Sequence, residues 1–185
     1  MTETPKYDVT KKQDDMELRR YPGYIQAEVR VDGRDYRHAV ERGFNILAGY
    51  IFGNNTASQK VAMTTPVKVN QSRKIAMTTP VTVTGRDSFV VSFIMPAEFT
   101  LQTLPVPNDP QVQFKEIPAH TMAVIRFSGY FPLAKIESSK QRLGQWVLEQ
   151  QLTPQGDYIV AGYNPPWVPG FLARNEVMVR VGEEG

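Results

Sequence analysis

Two histidines, no cysteine and one short run of alternating charge are the groups through which this chain can do chemistry. His38 and His120 are its only imidazoles. Without a thiol there is no disulfide, iron–sulfur cluster, thiolate-ligated haem or cysteine nucleophile. The charged run is Arg174-Asn-Glu176. A carboxylate inside a barrel can pair with a buried cation, whereas one flanked by an arginine more often makes a structural ion pair. Activation of water would fall to Glu176 or Glu116 beside Tyr158 or Tyr163, and it needs groups in hydrogen-bond reach with a shifted pKa. The nucleophile elbow Gly-x-Ser-x-Gly, the zinc helix His-Glu-x-x-His, a phosphate loop and a dinucleotide fingerprint are all missing. The expectation is a binding protein without a catalytic constellation.

A candidate binding surface lies in Pro165-Pro-Trp-Val-Pro-Gly-Phe-Leu-Ala-Arg174. Trp167 and Phe171 sit there on a proline-stiffened backbone, which binds a flat ligand at little ordering cost, with Arg174 as a neighbouring cation. Phe44 and Leu47 of a helical segment complete the expected apolar groove. Each residue also has an ordinary reading, since large aromatics cap barrels and a helix stripe packs into a core. Met63 and Met77 carry the same ambiguity, because thioethers suit both flat ligands and irregular cores.

The elements that would hold these residues are written as repeats. Lys60-Val-Ala-Met-Thr-Thr-Pro-Val67 recurs fourteen residues on as Lys74-Ile-Ala-Met-Thr-Thr-Pro-Val81. Turn formers bound both copies, so they read as adjacent antiparallel strands, with Pro66 and Pro80 at an edge, bulge or strand end. A longer repeat sets Met16–Gly33 against Val112–Gly129 at a constant offset, aligning Pro22 with Pro118, Ala27 with Ala123, Arg30 with Arg126 and Gly33 with Gly129. Each half then enters a helix. The first, about Asp35 to Phe52, has the stripe Tyr36, Val40, Phe44, Leu47, Ile51, with His38 on its polar face. The second, about Pro132 to Gln150, has Leu133, Ile136, Leu143 and Val147. His120 opens a strand and alternates with Met122, Val124 and Arg126. Ser88–Ile94, Tyr158–Tyr163 and Glu176–Val181 read as further strands. The fold class is therefore α+β, with duplicated β-α-β units forming a distorted antiparallel β-barrel and two packed helices. The whole chain, 1–185, is expected to be a single domain. Its halves, about 7–104 and 111–182, are joined by the proline-rich stretch Leu104–Pro110.

Composition sets the remaining bounds. The chain has 185 residues, 41% apolar and 22% charged, with a net charge of +2, as expected of one globular unit. Its basic residues are scattered among acids, which argues against nucleic-acid partners. Met1-Thr-Glu-Thr-Pro-Lys6 is without the apolar stretch expected of a signal peptide, and nowhere do eighteen apolar residues run together. A soluble, cytoplasmic monomer binding a small molecule is expected.

Several segments in order resemble the SOUL, or haem-binding-protein, family. They are Met16-Glu-Leu-Arg-Arg-Tyr-Pro22, Tyr50-Ile-Phe-Gly-Asn-Asn55, Ile75-Ala-Met-Thr-Thr-Pro-Val81, Phe93-Ile-Met-Pro-Ala-Glu-Phe99, Val124-Ile-Arg-Phe-Ser-Gly129, and Ala161-Gly-Tyr-Asn-Pro-Pro166 leading to Arg174-Asn-Glu-Val177. The resemblance implies a distorted barrel with two helices, non-covalent binding of haem or another tetrapyrrole, and a fold shared with ligand-binding domains of multidrug-responsive regulators. It places Arg20 where some members carry a histidine proposed as axial ligand, so His38 and His120 are left as candidates for iron. The similarity to regulator domains implies an alternative, a flat or cationic ligand held by Glu176. A hydrolase using Glu176 is a third reading.

Overall fold

The computed structural model describes residues 5–33, 35–56, 61, 67–72, 88–129, 133–163 and 169–183. Apart from Val61 and Val67, the two Met-Thr-Thr-Pro segments with Met63 and Met77 lie outside these residues, as does Trp167. The strands are β1 (Asp8–Gln13), β2 (Met16–Tyr21), β3 (Tyr24–Asp32), β4 (Val67–Ser72), β5 (Ser88–Ile94), β6 (Gln113–Ile117), β7 (His120–Phe127), β8 (Leu152–Gly162) and β9 (Asn175–Glu183). Helix α1 spans Tyr36–Ile51 and α2 spans Leu133–Glu149. The order strand, strand, helix, strand, strand thus occurs twice, from β2 to β5 and from β6 to β9.

All nine strands form one antiparallel sheet in the order β1-β2-β7-β9-β8-β4-β5-β3-β6. The aligned prolines explain how so long a sheet stays compact. Tyr21 faces His120, and three residues later Tyr24 faces Ile117, so the ladder resumes in the same register across Pro22-Gly23 and Pro118-Ala119. The pairs β2/β7 and β3/β6 are one long ladder folded at a corner where prolines withdraw two backbone donors. Gly23 permits the fold, because a Cβ there would lie 3.2 Å from the Ile117 carbonyl oxygen. The consequence is curl: Tyr24 of β3 meets His120 of β7 edge to face at 5.7 Å, although four strands separate β3 from β7 in the sheet order.

Both helices cover the same face. Register aligns Val29, Val91, Val160, Val177 and Ile125 in one row through β4. The α1 half of that face packs Val29, Val91 and Phe93 against Leu47 and Ile51, and the α2 half packs Ile125, Val160 and Val177 against Leu143, Trp146 and Val147. The bounds of α1 follow its capping, since Asp35 accepts hydrogen bonds from the backbone N–H groups of Arg37 and His38. Its buried stripe is rotated from the expected one. Ala39, Gly43, Leu47 and Ile51 are buried, while Tyr36, Val40 and Phe44 are half-buried flanks. The small residues win because the helix sits close to the sheet: a Cβ on Gly43 would lie 2.5 Å from Val91 Cγ2. In α2, Ile136, Leu143 and Val147 are buried as expected, but Leu133 is 63% exposed. Trp146 takes the buried position instead, with its indole N–H donating to Gln13 Oε1 at 2.8 Å.

The proline-rich connection is not a loose linker. Leu104 is buried, Pro107 bridges Asn55, Tyr50 donates its hydroxyl to the Pro105 carbonyl, and Thr56 N–H donates to Val106 O.

Candidate functional site

The face turned away from the helices is the unusual part. An uncovered sheet face is ordinarily solvated, but here curling buries it, and it holds charge. Alternation along β2 puts Glu17, Arg19 and Tyr21 on this face. Pairing adds His120, Met122, Val124 and Arg126 from β7, Glu176, Met178 and Arg180 from β9, Ala161 from β8 and Lys68 from β4. Glu17, Arg19, Glu176 and Lys68 are all buried.

Glu176 is the hub. Arg19 forks onto it, NH1 to Oε2 at 2.8 Å and NH2 to Oε1 at 2.9 Å. Arg174 adds Nε at 3.0 Å and NH2 at 2.7 Å to Oε1, and the Tyr163 hydroxyl donates to Oε2 at 2.8 Å. Burial alone raises a carboxyl pKa, but the hydrogen bonds and charge of Arg19, with those of Arg174, outweigh it and hold Glu176 below the usual carboxylate range. Tyr163 moves up, through its own burial and the adjacent carboxylate. Arg19 is also bonded by Nε to Glu17 Oε2 at 2.8 Å and lies 4.4 Å from the centroid of Tyr7. Burial is unfavourable to its charge, but the Glu176 carboxylate more than offsets this and keeps the guanidinium charged.

Three arginines and two glutamates therefore share the cluster, leaving a surplus of positive charge. The surplus lies toward solvent. Arg126 and Arg174 are each more than a third exposed, and both donate through NH2 to the Tyr7 hydroxyl, at 3.4 and 3.1 Å. Arg126 Nε is buried and makes no hydrogen bond among the described residues, although it pairs in charge with Glu176 Oε1 at 3.4 Å. Three residues before Arg174, on the short 3-10 turn Gly170–Leu172, Phe171 is 76% and Leu172 64% exposed.

The residues expected to form the groove separate into two groups. Leu47 is fully buried in the α1 core and Phe44 is half-buried, edge to face with Phe93 at 5.5 Å. Phe171 and Arg174 belong to the segment entering β9. Of the histidines, His38 is exposed on α1. His120 stacks on Tyr21 at 5.6 Å, and its Nδ1 donates to the Pro118 carbonyl at 2.8 Å. Burial lowers its pKa, helped by the charges of Arg180 and Lys68. The neutral ring with Nδ1–H engaged leaves Nε2 as the atom able to ligate a metal. Glu116 is exposed on β6, and Tyr158 packs against α2, with its hydroxyl 2.7 Å from where a Cβ of Gly144 would stand. Only the Glu176–Tyr163 pairing among the water-activating candidates is brought into contact. Arg19, Glu17, Tyr7, Arg126 and Lys68 were not among the sequence candidates. The signal was the odd-numbered run Glu17, Arg19, Tyr21, which places charge and aromatic on one strand face.

Among the described residues no helix is long and apolar enough to cross a membrane. In sequence the chain is similar to Heme-binding protein 1 of Xenopus laevis, 29% identical over 162 residues, covering 87% of this chain and 80% of that protein. It is also similar to Heme-binding protein 2 of Homo sapiens, 26% identical over 151 residues, covering 81% and 70%. Among solved structures, the EcmrR C-terminal domain superposes with a TM-score of 0.68 at 13% identity, covering 96% of this chain and 99% of that one. A structure of SAV2435 bound to tetraphenylphosphonium gives 0.54 at 9% identity, covering 90% and 93%. At such identities these two show a shared fold. The family model of the SOUL heme-binding proteins matches residues 2–180, nearly the whole chain, and the protein belongs to that family.

Proposed function

We propose that the protein binds haem or a related tetrapyrrole non-covalently, as a carrier or buffer, with the macrocycle against an apolar groove at the entry to β9. The observation that carries this reading is that the part-exposed guanidiniums Arg126 and Arg174 lie near the turn bearing exposed Phe171 and Leu172, which the Gly129 N–H to Gly170 carbonyl hydrogen bond ties to the end of β7. A tetrapyrrole presents a flat apolar ring with carboxylates at one edge, and cations beside an aromatic wall match both parts. Trp167, next to this segment in sequence, is the further residue of this proposal, which takes neither Phe44 nor Leu47 from the α1 core. Iron coordination is no part of this reading, because His120 and Arg126 stand at opposite ends of β7, about 20 Å apart along the strand, and His38 is exposed on α1.

The state of Glu176 weighs against the other readings. A carboxylate already holding two guanidiniums and a phenol has no free lone pair for a cationic ligand, and one held below the usual range is a poor general base. Titration with haemin and, separately, metal-free protoporphyrin tests the proposal through the Soret band and tryptophan quenching. Saturation at one equivalent by both is expected, with Phe171→Ala and Leu172→Ser each weakening both ligands about tenfold or more through lost apolar contact. Unchanged binding in both variants removes the groove, and failure of either ligand to bind the parent protein removes the function.

A further inference from the structure

Among the described residues three tyrosine hydroxyls on the concave face accept hydrogen bonds from cationic side chains. Tyr24 accepts from Lys68 Nζ at 2.6 Å and Tyr21 from Arg19 NH1 at 3.3 Å, and both of those basic residues are buried. Tyr7 is placed differently. Its oxygen accepts from Arg126 NH2 at 3.4 Å and from Arg174 NH2 at 3.1 Å, and these two guanidiniums are each more than a third exposed. The phenol therefore stands in the fork that the groove would offer to a ligand's carboxylate.

A neutral oxygen fills that place poorly. Arg126 is loosely held, with NH2 reaching Glu17 Oε2 at 3.3 Å and Nε lying 3.4 Å from Glu176 Oε1 without a hydrogen bond. Among the described residues three guanidiniums share two carboxylates, and an uncharged phenol does nothing for that surplus, whereas a carboxylate would make charge-assisted bonds about twice as strong. Tyr7 is also free to move aside. It precedes β1, an edge strand whose six residues are all exposed and whose ladder with β2 is broken by a bulge between Val9 and Lys11, so little packing resists fraying there. What holds its ring is contact with Tyr21, 5.2 Å between centroids, and with Arg19, 4.4 Å from the centroid. Beside the ring opens a cavity of about 230 Å³ lined by Arg20, Tyr21, Pro22 and Ala119. An apolar cavity of about 150 Å³ accepts benzene, so the phenol ring has room to turn into this one without leaving Tyr21.

We propose that Tyr7 is a latch on a carboxylate site: its hydroxyl occupies the Arg126–Arg174 fork in the free protein and yields it to the carboxylate of an incoming ligand. The groove then selects tetrapyrroles that carry a free acid over their esters, because only an anion repays the displacement of the phenol. The ligand class rests on the tetrapyrrole reading above, while the latch itself requires only a carboxylate.

The experiment is fluorine NMR of the full chain labelled with fluorotyrosine, the Tyr7 signal being identified by its loss in Tyr7→Phe. Sodium acetate should shift that signal saturably, and sodium chloride at equal ionic strength should not. In the unlabelled protein, Tyr7→Phe should bind metal-free protoporphyrin about three- to tenfold more tightly than the parent, since no hydrogen-bonded oxygen has to be displaced, and should bind protoporphyrin dimethyl ester as the parent does. The latch is overturned if acetate leaves the Tyr7 signal unmoved, if Tyr7→Phe binds the free acid no more tightly, or if acid and ester gain alike. Should protoporphyrin bind neither protein, the tetrapyrrole reading falls and the acetate titration still decides the latch.

Discussion

Replacing Lys68 by methionine should make this protein more stable, and by an amount that depends on pH. The unfolded chain charges this lysine below its ordinary value of 10.5, the folded protein only below about 7. At ~1.36 kcal/mol per pH unit, holding Lys68 in the fold at pH 7 therefore costs about 4 kcal/mol relative to an unperturbed lysine. Methionine keeps the stem's volume and removes that term, but strands the Tyr24 hydroxyl at a cost of about 1–2 kcal/mol. The net gain at pH 7 is then about 2–3 kcal/mol. The sign follows from proton counting. Between about 7 and 10.5 the unfolded state holds more protons than the folded one, so the parent gains stability as pH rises and the variant does not. The advantage of Lys68→Met should be constant below neutrality, shrink by about 1.4 kcal/mol per pH unit above it, and vanish a little above pH 9. Urea unfolding followed by tryptophan fluorescence, run on both proteins from pH 6 to pH 9, measures this directly. A variant less stable than the parent at pH 7, or a difference flat across that range, would show that Lys68 is not an uncompensated buried cation.

Three further outcomes follow from the same geometry. Glu176→Gln leaves Arg19 buried with half its countercharge removed and should destabilise by about 3–5 kcal/mol in thermal melts. Because its carboxyl is held below the usual range, the Glu176 contribution is present above its unfolded value and lost as pH falls through the folded one, so the variant's acid unfolding profile should be flatter than the parent's. Gly43→Ala drives a methyl into Val91 and should cost about 1–3 kcal/mol in urea unfolding, with Val91→Ala in the same chain recovering part of it. Tyr163→Phe removes one hydrogen bond from Glu176 and should cost about 1–2 kcal/mol in the same measurement while leaving haemin affinity unchanged.

The two helices were legible because each leaves a local mark, a stripe of apolar residues, whereas β4 over Val67–Ser72 was not, since Asn70-Gln71-Ser72 reads as turn formers between the two copies of the repeat. The rotation of α1 about its stripe was not, since size alone favours Phe44 over Gly43, and only the approach of the helix to Val91 makes a missing side chain the better fit. The candidate site was legible as a list of residue types, and Arg174 with Glu176 reads correctly as an ion pair. What the sequence hides is that Arg19, from the far end of the chain, completes that pair.

The reason is the same for Lys68. In a flat sheet with helices on one side, alternation of apolar and polar residues separates core from solvent, so a lysine between Val67 and Val69 reads as a solvated position. The corner at Pro22-Gly23 and Pro118-Ala119 changes that rule by curling the second face inward. Once it is enclosed, each charge on that face must find a partner from another strand or go without one. Glu176 and Arg19 found each other, and Lys68 and Arg180 did not. Chemistry beyond the family's haem binding is therefore to be sought on this face, where Lys68 is buried without a salt bridge among the described residues.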